Sequence, residues 1–323
     1  MPQEIAVRSR NSVAVILSLE AAAGAAGDYA RASKSAATRR AYQADAANFA
    51  VWCQRHGLEP LPATVDTVAA YLAALATAGL KASTITRRCA GIRYIHRIAG
   101  VESPTSSESI KAVLSGIKRT IGTSVTRKAP ATAETVRVII AEMPTDLRGL
   151  RDRALLLIGF AGALRRSELV ALDVADLEES PEGFHVRIRR SKTDQEGTGD
   201  FVSIPYGSRL LPIRALKDWL EASGITQGAV FRSIRRSGKV VDPERLSDRS
   251  VANIVKAHAE AVGLDPAVFS GHSLRAGFVT SALQAGADVL RVMDVTRHRQ
   301  INTLRVYDRR AKAFKQHAGD AFL

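Results

Sequence analysis

The stretch Ser270–Arg310 carries four side chains that can act together on one phosphate: His272, Arg275, His298 and Tyr307. His272 and Arg275 stand three residues apart near one helix start, and Tyr307 follows His298 by nine residues. Breaking a phosphodiester without water needs a nucleophile, groups to hold the non-bridging oxygens, and an acid for the leaving 5′-oxygen. Tyr307 suits the first role, although a phenol with a reference pKa of about 10 needs activation nearby. Arginine suits the second, because its planar fork donates paired, charge-assisted hydrogen bonds. Arg165 and Arg275 supply two such forks to a transition state gaining negative charge. Lys192 can protonate the leaving oxygen. His272 and His298 can either donate to phosphate oxygens or accept the phenolic proton, since histidine titrates near neutrality.

A covalent phosphotyrosyl link conserves the energy of the broken bond, so rejoining requires no external energy source. The sequence agrees: no carboxylate cluster suggests Mg²⁺, and no Gly-rich GK[ST] loop suggests ATP. No cofactor and no metal are expected. Each residue alone also has an ordinary use. Arg165 can pair with Glu168 at a helix end, Lys192 can be a solvated loop lysine, and His272 can cap a helix at Ser273. His298 lies in a cationic run where it can touch phosphate without catalysis, and Tyr307 can be a packing residue.

The elements that must position these groups fall into two regions. Residues 1–34 are polar, then Ala-rich, then polar, and read as an N-terminal arm. Residues 35–121 read as four short amphipathic helices in a bundle. The first places Tyr42, Phe49 and Trp52 on one face and ends at Gly57. In the second, Thr64 caps a stripe of Val65, Val68, Leu72 and Leu75. In the third, Ser83 caps a helix with Ile85, Cys89, Ile92 and His96 at helical spacing. The fourth carries Ile110, Val113, Leu114, Ile117 and Ile121. Residues 122–131 (GTSVTRKAPA) have no periodicity and read as a linker.

Residues 132–323 then open on a helix capped by Thr132. Arg151–Ala163 is apolar enough for a buried core helix. Residues 184–190 alternate as a strand, with 200–205 as partner and a polar turn holding Lys192 between them. Helices are expected at 212–222 and 248–263, a small buried strand at Ala229–Phe231, and a short tail helix after Tyr307. The fold class is therefore mainly α: a helical bundle followed by an α-rich domain with a small antiparallel β-sheet.

The net charge of +14 points to a polyanionic partner, nucleic acid before an acidic membrane. Residues 1–129 hold 17 Lys and Arg against 8 Asp and Glu, so the smaller region is the more basic. Arg39, Arg40, Arg87, Arg88 and Arg93 recur along its helices and fit phosphate contacts. No apolar run approaches the ~20 residues of a membrane helix. Cys53 and Cys89 are the only cysteines, which with no secretory signal points to reduced thiols in a cytosolic compartment.

In order and spacing, the candidate residues resemble those of the tyrosine recombinases, the phage-integrase group that includes Xer and Cre. The resemblance covers roughly residues 30–310. ALRRSEL looks like the first arginine box, which makes Arg165 the first catalytic arginine and Glu168 its supporting carboxylate. Lys192 falls at the hairpin lysine, and His272-Ser-Leu-Arg275 is the His-x-x-Arg box. His298 takes the last His-or-Trp position and Tyr307 the nucleophile's. The resemblance implies site-specific strand exchange on double-stranded DNA through a 3′-phosphotyrosyl intermediate and a Holliday junction. It also implies a catalytic region at 132–323, a homotetramer in the synaptic complex from protein that is monomeric or dimeric when free, and a cytoplasmic, nucleoid-associated location. Related tails dock on a neighbouring protomer, and the same is expected here. Residues 1–34 are too short and Ala-rich for an arm-site domain, which favours a simple recombinase.

Two departures stand out. The family often has glycine just before the last histidine, but Thr296-Arg297 precede His298 here, and Arg297 is expected to make its own phosphate contact. Ala276 replaces a frequent histidine. Two alternatives share the fold or the chemistry: a DNA-binding regulator without strand exchange, and a type IB topoisomerase, which the separate helical bundle disfavours.

Overall fold

The computed structural model describes residues 24–25, 27, 29, 33–124, 128–189, 199–301 and 304. The chain divides into two compact units, Met1–Val125 and Thr126–Leu323.

The first unit contains α1 (Ala36–Arg55), α2 (Val65–Thr77), α3 (Ala82–Ile98) and α4 (Glu108–Ile121). Side-chain oxygens of Ser35, Thr64 and Ser107 cap α1, α2 and α4 by accepting from the backbone N–H three residues on. α3 starts two residues earlier than a cap at Ser83 would give. Lys81 takes the N-cap position without a side-chain cap, and Ser83 lies inside the first turn. The expected stripes pack into one core of Phe49, Val68, Leu72, Leu75, Ile85, Ile92 and Ile110. Cys53 and Cys89 are buried free thiols in this core, and burial raises the pKa of both. His96 is also buried. Its Nε2 accepts from the Ala63 N–H at 3.0 Å, and its Nδ1–H donates to the Ile92 carbonyl at 2.9 Å. On α1 the inward face is Asp45, Phe49 and Cys53, while Tyr42 and Trp52 lie at its margin. Asp45 tolerates burial because Arg87 Nη1 donates to it at 2.5 Å. Gly91 allows that approach: a Cβ there would sit 3.0 Å from Asp45 Cβ.

The second unit is built on α6 (Leu147–Ala161), whose residues Ala154–Phe160 are all buried. Around it lie α5 (Ala133–Ala141), α7 (Arg166–Ala171), α8 (Pro212–Ser223), α9 (Asp248–Ala261), α10 (Ser273–Gln284) and α11 (Val289–Thr296). A sheet of order β1-β2-β3 joins β1 (Leu177–Ser180), β2 (Gly183–Ile188) and β3 (Asp200–Pro205), all antiparallel. β2 pairs with β3 in the register Phe184↔Ile204 and Val186↔Val202, which points these alternating side chains into the core. β1 has the sequence LEES and no apolar alternation to announce it.

The strand expected at Ala229–Phe231 is displaced. Val230 and Phe231 are buried in an irregular link, and β4 (Arg232–Ile234) pairs just beyond it with β5 (Val241–Arg245). Trp219 is fully buried and spends its Nε1–H on the Val230 carbonyl at 2.8 Å. Among the described residues no helix is long and apolar enough to cross a membrane.

Two glycines set how closely the site-bearing helices approach. At Gly159, on α6, a Cβ would meet Leu169 of α7 at 2.9 Å and Leu274 of α10 at 3.0 Å. The helices that carry the two candidate arginines therefore pack over one point of α6. At Gly277, on α10, a Cβ would lie 1.7 Å from the Ala131 carbonyl oxygen. The segment Ala129–Ala131 runs along the start of α10, with the Ala131 N–H donating to the Ser273 carbonyl.

Candidate active site

Arg165 occupies the N-cap position of α7. Glu168, three residues on, returns to it twice: Oε2 accepts from the Arg165 backbone N–H at 2.9 Å, and Oε1 accepts from Nη1 at 2.5 Å. The helix-end ion pair and the supported arginine are thus the same structure. Among the described residues only Nη1 of this guanidinium is engaged, so Nε and Nη2 are available to a phosphate. Glu168 is fully buried, and a lone carboxylate there would be costly.

Arg275 projects from the first turn of α10 and is 2% exposed. Its Nη1 donates to the Ala163 carbonyl at 2.7 Å and its Nη2 to the Thr296 carbonyl. Backbone strain supports both contacts. Among the described residues, Ala163 (φ 45°) and Arg297 (φ 53°) are the non-glycine residues with left-handed backbone. One carries the first of these carbonyls and the other follows the second. Such a backbone costs a non-glycine residue about 1–2 kcal/mol.

His298 follows α11 and lies 3.3 Å, Nε2 to Nη2, from Arg275. A guanidinium can only donate, so Nε2 is the acceptor and the ring proton sits on Nδ1. Nδ1–H donates to Thr296 Oγ1 at 2.7 Å, and the Thr296 hydroxyl donates to the Val292 carbonyl at 2.6 Å. Burial first, and then the positive field of Arg275, Arg165, His272 and Arg297, push the His298 pKa down to about 4. The ring is neutral at physiological pH, with its lone pair turned into the site. His272 sits at the N-cap position of α10 without a side-chain cap bond. Serines fix the turn ahead of it: the Ser273 hydroxyl accepts from the Ser270 N–H, and the Ser270 hydroxyl from the His272 N–H.

Arg297 differs from its expected role. Its side chain is 6% exposed and turned inward, where Nη2 donates to Glu168 Oε2 at 2.5 Å. In this position its charge is set against the Glu168 carboxylate. Left-handed backbone at this position explains why glycine is frequent there in the resembling family. In the first unit Arg87 and Arg88 engage Asp45 and Tyr71, and Arg93 donates to Thr105. Arg40, Arg87 and Arg93 remain exposed enough to reach a polyanion, whereas Arg39 and Arg88 are half-buried. The sequence signals for Ala163, Thr296 and Arg297 as parts of the site were slight. The Thr296-Arg297 departure was one, and Ala163 carried none. Lys192, Tyr307 and the tail helix lie outside the described residues.

The described part of the site is thus a buried carboxylate, three guanidiniums and two imidazoles, a cationic pocket suited to a phosphodiester passing through a more negative transition state. This is the arrangement of an enzyme that breaks and rejoins DNA. Residues 131–313 match the phage integrase family, and residues 29–102 match its N-terminal SAM-like domain. The integrase/recombinase xerD homolog of Selenomonas ruminantium is 40% identical over 292 residues, covering 88% of this chain and 85% of that protein. Tyrosine recombinase XerD of Bifidobacterium longum is 30% identical, over 84% of this chain and 86% of its own. Among solved structures, a XerH site-specific recombinase in a post-cleavage complex with its difH substrate superposes with a TM-score of 0.57. It is 20% identical and covers 80% of this chain and 71% of that one. A lambda integrase fragment on a core site gives 0.57 at 19% identity, over 85% and 89%. The chain belongs to the phage integrase family and is a site-specific tyrosine recombinase.

Proposed function

We propose that this recombinase cleaves one strand of a specific duplex site with Tyr307, while Arg165, Arg275, His272 and His298 hold the scissile phosphate. The phenolic oxygen attacks phosphorus, the 5′-oxygen leaves with a proton from Lys192, and a 3′-phosphotyrosyl bond replaces the phosphodiester. A 5′-hydroxyl from the partner strand then attacks that bond, returns the phenol and yields a Holliday junction after one exchange. The convergence of Arg165, Arg275 and His298 around one cationic pocket carries this reading. Neutral His298 suits it as well: its lone pair can take the phenolic proton, and an arriving phosphate opposes the cations that hold its pKa down.

Residues 35–121 serve as the DNA-binding unit, residues 122–131 as linker and residues 132–323 as the catalytic unit, in a synaptic homotetramer. Arg40, Arg87 and Arg93 contact the backbone of the duplex, with Arg39 and Arg88 behind them. The enzyme acts in the cytoplasm, on the nucleoid.

A nicked suicide substrate tests the assignment. DNA captured covalently in the host supplies the site. Wild-type protein is expected to form a covalent adduct on it that denaturing gels resolve, and Tyr307→Phe to bind equally and form none. Wild-type protein without an adduct on its own site would overturn the reading.

A further inference from the structure

We infer that Arg297 is a positioning residue of the strand-cleavage reaction: it neutralises Glu168 and so leaves the charge of Arg165 free for the scissile phosphate. The inference rests on the proposed role of Arg165.

Glu168 has two oxygens and three donors. Oε1 takes Arg165 Nη1, while Oε2 takes the Arg165 backbone N–H and Arg297 Nη2. With Arg165 alone, this buried carboxylate would hold the arginine in place and also cancel its charge. A phosphate approaching Arg165 would then meet an ion pair instead of a cation. Arg297 changes that balance: two guanidiniums share one carboxylate, and the group keeps one net positive charge beside Arg275 and His298. In a site shielded from water such a charge acts at several times its aqueous strength.

The contacts of Arg297 show that its place is not incidental. It adopts left-handed backbone that glycine would adopt without cost, and its guanidinium is almost wholly buried. Nε has no hydrogen-bond partner among the described residues, and Asp200 Oδ2, at the start of β3, stands 3.9 Å from it. A residue that served only to end α11 would be better as glycine. A surface phosphate contact would point outward. The strain and desolvation accepted here have one evident return, the short pair with Glu168. That pair also ties the end of α11, and with it His298, to the helix that carries Arg165.

The test is single-turnover cleavage of the suicide substrate by full-length variants, with binding and melting temperature measured in parallel. Arg297→Gly removes the charge and relieves the backbone. It is expected to melt within a few degrees of wild type, to bind site DNA with unchanged Kd and salt dependence, and to cleave about tenfold to a hundredfold more slowly. Arg297→Met keeps the bulk and the strain and should be as slow. Arg297→Lys keeps the charge and should recover most of the rate. The decisive measurement is Glu168→Gln/Arg297→Gly. With the carboxylate's charge gone, Arg165 needs no compensation, so the double variant should cleave faster than Arg297→Gly alone. Weaker binding with a shallower salt slope would show a phosphate contact instead and overturn the inference. So would multiplying rate losses in the double variant, or an unchanged rate in Arg297→Gly and Arg297→Met. Arg165→Ala checks the reading beneath: if it cleaves normally, the role of Arg165 fails, whatever Arg297 does.

Discussion

Each unit of this recombinase has a buried carboxylate set between two arginines, yet the two clusters do different work. Asp45, on α1, takes Arg87 Nη1 at 2.5 Å and stands 3.9 Å from Arg88 Nε. Glu168, on α7, takes Arg165 and Arg297 at the same short distance. The carboxylates are equally buried, and the difference lies in the arginines. Arg87 has 45% of its side chain in solvent, and Arg88 is spent on the Tyr71 hydroxyl at 3.0 Å. That cluster fastens α3 to α1, and its surplus charge faces water, where salt screens it. Around Glu168 the arginines are 19% and 6% exposed, one holds a strained backbone, and their surplus charge faces another arginine and a neutral histidine. A buried acid with two arginines is therefore no sign of a site in itself. The sign is where the uncompensated charge points and what strain the backbone bears to aim it.

The largest effect that would break this comparison is on Arg165. Arg165→Lys keeps the charge but has no fork with which to hold Glu168 and a phosphate together. Cleavage in the suicide assay should fall by about a hundredfold to a thousandfold with DNA binding retained. Arg87→Lys, the matching change in the other cluster, should leave cleavage of bound DNA unchanged. Equal losses from both would mean that the Asp45 cluster also takes part in the chemistry.

The next effect is on stability and runs the other way. Asp45→Ala leaves two arginines facing a buried gap between α1 and α3, where Arg88 Nε already has no hydrogen-bond partner among the described residues. Arg87 can turn to solvent, so the expected loss is about 2 kcal/mol, below the full value for breaking a buried pair. Urea melts of the intact chain should show the shift in midpoint. The cleavage rate of the folded, DNA-bound fraction should not move. A change in that rate would tie α1 to catalysis.

Much of this was legible in the sequence, for physical reasons that differ by element. Helices with a repeating apolar face, such as Val68, Leu72 and Leu75, announced themselves because burial selects that spacing. The β2–β3 pair did so by its alternation of Phe184, Val186 and Ile188. β1 did not, because LEES is held by its pairing with β2 and not by burial. At the site, Arg165, Arg275 and His298 could be named from order and spacing, since their types follow from phosphate chemistry. Ala163 could not, because it contributes a backbone carbonyl, and an alanine gives no sign of the left-handed φ of 45° at this position. Arg297 was noticed as a cation beside the site histidine, which suggested a phosphate contact of its own, but no spacing signalled its left-handed backbone or its pair with Glu168.

The smallest expected effect concerns the proton on His298, and it sharpens the comparison because His298 stands in the field of both arginines around Glu168. The ring's folded pKa of about 4 lies below the ordinary value of about 6.5. Below pH ~6.5 the unfolded chain takes up a proton that the folded site refuses, so stability is complete above that pH and declines as pH falls toward 4. Melting temperatures of wild type should drop across this window more steeply than those of His298→Asn, which has nothing to titrate there. Thr296→Val keeps the shape but removes the oxygen that accepts from Nδ1–H, which frees the ring to carry its proton on Nε2 and turn away from Arg275. A loss of cleavage of a few fold is expected, with Thr296→Ser close to wild type, since the hydroxyl and not the methyl holds the tautomer. If Thr296→Val cleaved as fast as wild type while His298→Asn did not, the ring would act without a fixed tautomer. His298 would then serve the phosphate as a neutral donor, and its lone pair would have no part in taking the phenolic proton.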